Sequence, residues 1–176
     1  MQISKPAPDE YHSFQIDYIS RVPQGIDVLA MLAAQPAELR ALVASVDDAR
    51  ASAIPKPGEW SIKDVLQHIC DTERILTYRT LAVARGETAP LPGFEQDDYA
   101  AAAATTAGAR SMTDLLAEFD LIRAATLPLV RGLSPDTHLR TTLISGKRTS
   151  VRTLLHIIPG HVASHIDSLR TVYGLG

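Results

Sequence analysis

SIKDVLQHICDTERILTYRTLAVARG, residues 61–86, is the stretch on which the fold turns. Ser61 followed three residues later by Asp64 has the form of a capping box. Its hydroxyl can accept the N–H of residue 64 while that side chain reaches back to the cap. Val65, Leu66, Ile69, Ile75, Leu76 and Val83 then form one apolar stripe at helical spacing, and Gly86 supplies a stop. A helix this long and amphipathic needs partners of its own kind to cover the stripe.

Such partners lie on both sides. Upstream, Leu29, Leu32, Leu39, Leu42, Val43 and Val46 keep helical spacing. Pro36 falls within that run and predicts that a new helix opens there, because an interior proline costs about 3 kcal/mol. Residues 1–22 carry no clear period and read as an extended lead-in. Downstream, ETAPLPGFEQDDY reads as a loop and Ala100–Ala104 as a short helix or turn. Ser111 with Asp114 opens a helix carried by Leu115, Leu116, Phe119, Ile122 and Val130 and ended by Gly132, with a kink expected at Pro128. LRTTLISGKRTSV alternates about Ser145-Gly146 as a small hairpin would. Ser150 starts the last helix, which runs to Gly174. Four principal amphipathic helices with little strand signal predict an all-α four-helix bundle, a single domain over residues 1–176.

Composition limits the function. The chain has 176 residues, 45% of them hydrophobic, and a formal net charge of -3 with no long run of either sign. A nucleic-acid partner would require a basic face, which is missing. No apolar run approaches the roughly 20 residues of a membrane span, and the N-terminus lacks the apolar core of a signal peptide. The single cysteine, Cys70, fits a reducing compartment, so a cytoplasmic protein is expected.

The chemistry concentrates in the histidines. His161 and His165 are four apart, and helical residues advance about 100° each, so both return to within about 40° of one line. Two imidazoles hold a metal weakly, whereas zinc and similar ions take at least three protein ligands. His68, at the edge of the apolar stripe of another long helix, can complete a three-histidine set of the kind bundle cores build from facing helices. His156, about 140° from His161, falls off that face. His12 and His138 read as solvated loop residues. Asp71, three residues after His68, reads equally as an acid that orients, ligates or takes a proton, or as a solvated ion-pair partner. Arg79 reads as a structural ion-pair partner or a contact for an anionic substrate. Glu73 points away from His68 and reads as structural, Cys70 as a small buried residue, and Trp60 as packing at the helix start.

The block Trp60–Tyr99, WSIKDVLQHICDTERILTYRTLAVARGETAPLPGFEQDDY, together with the closing HVASHI at residues 161–166, resembles the DinB-like superfamily of bacterial metal proteins. The resemblance spans essentially the whole chain. It implies an up-down-down-up bundle, usually homodimeric, with His68, His161 and His165 binding a divalent ion: nickel, zinc or iron. Some relatives are transferases that activate a low-molecular-weight thiol such as bacillithiol or mycothiol. Two other roles share the scaffold: a metal-dependent hydrolase, and a non-catalytic dimer of the stress response with a structural ion. Pro159-Gly160, just before His161, stands where an uninterrupted helix is usual.

Overall fold

A computed structural model describes residues 1–107 and 109–176. Its helices are α1 (Ile16–Ser20), α2 (Val28–Val43), α3 (Asp48–Ser52), α4 (Ile62–Ala84), α5 (Gln96–Ala107), α6 (Met112–Arg131) and α7 (Val151–Thr171). Strands β1 (Thr141–Ile144) and β2 (Lys147–Ser150) pair antiparallel as a hairpin between α6 and α7. The long helices α2, α4, α6 and α7 make an all-α, up-down-down-up bundle. α4 packs against α6 and α7, and α2 packs against the same two.

Helix starts follow the side chains. Ser61, Ser111 and Ser150 each accept a backbone N–H three residues on, and Ser61 with Asp64 completes a full capping box. After α4 the chain turns through Gly86 at φ +92°, a conformation without strain only for glycine. Ser145 and Gly146 both take positive φ, which gives the tight turn that two antiparallel strands require.

Two expectations about the first 45 residues are overturned. The lead-in is not extended: residues 8–10 and 13–15 form 3₁₀ turns, and α1 follows. The gain comes from packing against α7, with Ile19 and Val22 buried. Nor does Pro36 open a helix, for α2 runs straight through it. A proline there leaves the carbonyl four residues earlier without its helical donor. That carbonyl belongs to Leu32, and the buried guanidinium of Arg123 donates to it at 2.7 Å.

Arg123 is the centre of a polar layer across the middle of the bundle. Its Nε and Nη2 donate to the two oxygens of Glu73 at 2.9 and 2.7 Å, and Nη1 also donates to Gln35 Oε1 at 2.8 Å. Gln35 Nε2 donates in turn to the carbonyl of Pro159 at 2.7 Å, and Thr126 Oγ1 to Glu73. Five residues on four helices thus satisfy one another out of water, as buried charge requires. The layer divides the apolar core. One cluster includes Leu32, Leu76, Val130 and Leu155; the other includes Leu39, Ile69, Phe119 and Ile166.

The α4–α5 connection is tied to the hairpin. Leu91 donates to Leu143 O at 2.8 Å and accepts from Ser145 N at 3.1 Å. Residues 93–97 are thereby held beside the bundle, next to the histidines.

Candidate metal centre

His68 sits in the second turn of α4, and His161 and His165 lie one turn apart on α7, which packs against it. α7 is continuous through Pro159 and Gly160, so Pro-Gly does not end the helix before His161. Both residues serve contacts. The Pro159 carbonyl receives Gln35, and a Cβ on Gly160 would lie 2.0 Å from the carbonyl oxygen of Tyr18. Only glycine lets α1 lie that close. The Tyr18 ring then stands edge-on to His161 with centroids 5.4 Å apart.

The three Nε2 atoms converge. His161 Nε2 is 2.9 Å from His68 Nε2 and 3.0 Å from His165 Nε2, and one ligand atom from each lies within 4.8 Å of the others. Burial lowers all three imidazole pKa values, to about 4 for His68 and about 3 for His165, with His161 well below its ordinary value. All three are therefore neutral at physiological pH. Each ring nitrogen offers either one N–H or one lone pair, so His161 Nε2 cannot make two well-formed N–H···N bonds at once, whereas a cation can accept all three lone pairs. Two spacings fall within a few tenths of an ångström of the roughly 3.3 Å that metal–nitrogen bonds of about 2.0–2.1 Å give at tetrahedral angles. Neutral imidazoles at this separation suit zinc, nickel or iron. The residues fit a divalent ion.

A family model for the DinB superfamily matches residues 31–168. The chain belongs to the DinB superfamily. Among solved structures it is similar to YfiT from Bacillus subtilis, described as a probable metal-dependent hydrolase with an unusual four-helix bundle topology. The TM-score is 0.72 at 17% identity, covering 98% of this chain and 95% of that one. No curated protein sequence matches the chain.

The DinB-superfamily chain surrounds its histidines unevenly. Trp60 does more than pack at the helix start, for its ring lies 4.8 Å from that of His68. Thr72 Oγ1 stands 3.4 Å from His68 Nδ1, a long contact that leaves Nε2 facing inward. Beside the group opens a cavity of about 470 Å³, within the range of small-molecule sites. Its walls combine His68 and His161 with Tyr18, Leu76, Ile144, Leu154 and Ile157, and the 93–97 connection lies along it.

The remaining candidates divide. Asp71 is not in the histidine group. It accepts from Gln67 Nε2 at 3.0 Å and pairs with Arg74 at 3.5 Å, while burial raises its carboxyl pKa. A narrow cleft shared with His68 and Thr72 connects it to the centre. His156 turns away and its Nδ1 pairs with Arg152 O at 2.8 Å. Cys70 is fully buried, and burial pushes its thiol pKa up, which leaves it inert.

Three readings need correction. His12 and His138 are not solvated: the Nε2 of each is buried and meets no hydrogen-bond partner among the described residues. Arg79 makes no ion pair among the described residues, although it is buried on the cavity wall. Glu73 is structural, as its spacing from His68 predicts. Tyr18 and Trp60 reach the centre by tertiary packing, which no local pattern signals.

Proposed function

We propose that this chain is a divalent-metal-dependent enzyme, acting as a homodimer, that transfers a low-molecular-weight thiol to an electrophilic small molecule. His68, His161 and His165 would hold the ion, and Asp71 would accept the proton released. One observation carries the reading: three imidazoles converge, two of them on the wall of a small-molecule-sized cavity, with no further protein ligand among the described residues closing the group. A structural ion is closed off by four ligands, whereas a catalytic one keeps a position for substrate.

An ion held by neutral ligands retains its charge and supplies Lewis acidity, lowering the pKa of a thiol or water bound to it. The chain's own residues do the rest. Tyr18 and Trp60 fix the imidazole rings from two sides. Leu76, Leu154 and Ile157 keep the reacting end dry, which strengthens every charge interaction there. Asp71, whose carboxyl pKa burial raises, would take the proton through the cleft it shares with His68.

A second reading, metal-dependent hydrolysis, is favoured by the description of YfiT and uses the same site with water in place of the thiol. Metal analysis tests the common ground: purified protein should carry about one divalent ion per chain, and His161→Ala should remove it. Protein that comes out metal-free and cannot be loaded sinks both readings. Assays with several cellular thiols plus a model electrophile, set against ester and amide substrates, then separate transfer from hydrolysis. A merely structural ion would reveal itself if chelation unfolded the bundle.

A further inference from the structure

Arg79 is the unexplained charge of the molecule. It is 8% exposed, lies on the wall of the cavity that reaches the histidines, and has no acidic partner within salt-bridge distance among the described residues. Among the described residues one of its five N–H donors is used, by Nη2 on the Pro92 carbonyl at 2.6 Å, and the guanidinium carbon lies 5.4 Å from the centre of the Phe94 ring. These contacts aim the group without neutralising it. A buried cation left uncompensated is costly, and removing it from water lowers its pKa.

His12 reaches the same cavity from the opposite end of the sequence. Its ring stacks on Phe14 with centroids 5.3 Å apart, and its buried Nε2 has no partner among the described residues. In its Nε2–H tautomer it is a second donor without an acceptor. A guanidinium and an imidazole N–H thus line one cavity together with apolar Leu76 and Ile157, which sets donors for an anion beside a hydrophobic slot.

We infer that Arg79 and His12 form a carboxylate subsite, which anchors the substrate at the far end of the cavity from the three histidines. Only the position of the reacting end rests on the metal reading above. Charge selects a carboxylate over a phosphate. The subsite offers a single buried positive charge, and the exposed Glu95 and Asp97 on the same cavity disfavour a dianion. The planar fork of arginine also matches a carboxylate edge.

Calorimetry on the full chain tests this with phenylacetate and 3-phenylpropionate against their neutral amides, in metal-loaded and chelator-stripped protein. At least one acid should bind about tenfold or more tightly than its amide, and stripping the metal should preserve the preference. Arg79→Gln should bring the acid to the amide's level while metal content stays at the wild-type value, and His12→Ala should weaken the acid about threefold. The subsite is wrong if no acid outbinds its amide, or if the preference survives Arg79→Gln. It is equally wrong if the preference disappears with the metal, since the carboxylate would then sit on the ion. Should Arg79→Gln not fold, the acid–amide comparison before and after stripping decides in the unaltered chain. Protein that shows the preference but takes up no metal keeps this inference and loses the metal reading; loaded protein indifferent to Arg79 does the reverse.

Discussion

At Gly160 a hydrogen atom in place of a methyl group lets α1 rest on α7. The Tyr18 carbonyl lies where a Cβ would be, and backbone cannot swing aside as a flexible side chain can. Gly160→Ala should therefore cost about 1–3 kcal/mol despite the better helix propensity of alanine, because overpacking outweighs roughly 1 kcal/mol of backbone gain. Urea unfolding at neutral pH measures it, and a variant as stable as wild type would disprove the close approach. Individual residues differ in how far sequence betrays them. His161 and His165 stand out because helical periodicity is local, and His68 because it lies on a second well-marked helix. Nothing near His12 or Arg79 announces that the Nε2 of one is buried and that the other has no acidic partner among the described residues. Those facts depend on neighbours far along the chain, such as Pro92 beyond a turn or Phe94 in a connection.

Among elements, the long helices were legible from their serine caps and apolar stripes, and the short ones were not. A five-residue helix such as α1 is below the length at which propensity alone sustains it, so no pattern marks it and tertiary contact creates it. The segment before α1 is fastened to the start of α7 by Glu10, which accepts from Arg152 Nε at 2.8 Å and from the Ser150 hydroxyl. The Arg152 guanidinium holds the Glu10 carboxyl down to about 2, from an ordinary 4.5. With the folded pKa depressed, this stabilisation is complete above pH 4.5 and is lost as pH falls toward 2. Glu10→Gln should destabilise the protein by about 1–3 kcal/mol at pH 7, the scale of a charged hydrogen bond. Denaturant melts should then show the gap from wild type narrowing between pH 4.5 and 3. A gap independent of pH would mean that the contact does not act through charge.

For the molecule as a whole, the four long helices and the up-down-down-up order were readable, the first from periodicity and the second from family resemblance. The polar layer that holds the four helices in register was not. Pro36 looked like a helix start because its remedy, Arg123 on the Leu32 carbonyl, lies 91 residues from that carbonyl in sequence. Arg123→Ala should cost about 3–5 kcal/mol, since it leaves the Glu73 carboxyl group in the core without its cationic partner. Adding Glu73→Leu should recover part of that loss, though not all, because the Leu32 carbonyl and Gln35 remain without their donor. Chemical unfolding of the two variants checks the order, and a double variant less stable than the single one would contradict it.

The histidine group also has a place in time. His161 follows His68 by 93 residues, which at about 5–20 residues per second is roughly 5–20 seconds of synthesis. For that interval the nascent chain carries an isolated imidazole on α4 and no competent site. On the proposed reading, an ion held by all three histidines would therefore belong to the end of synthesis rather than its beginning, once the last helix has been made.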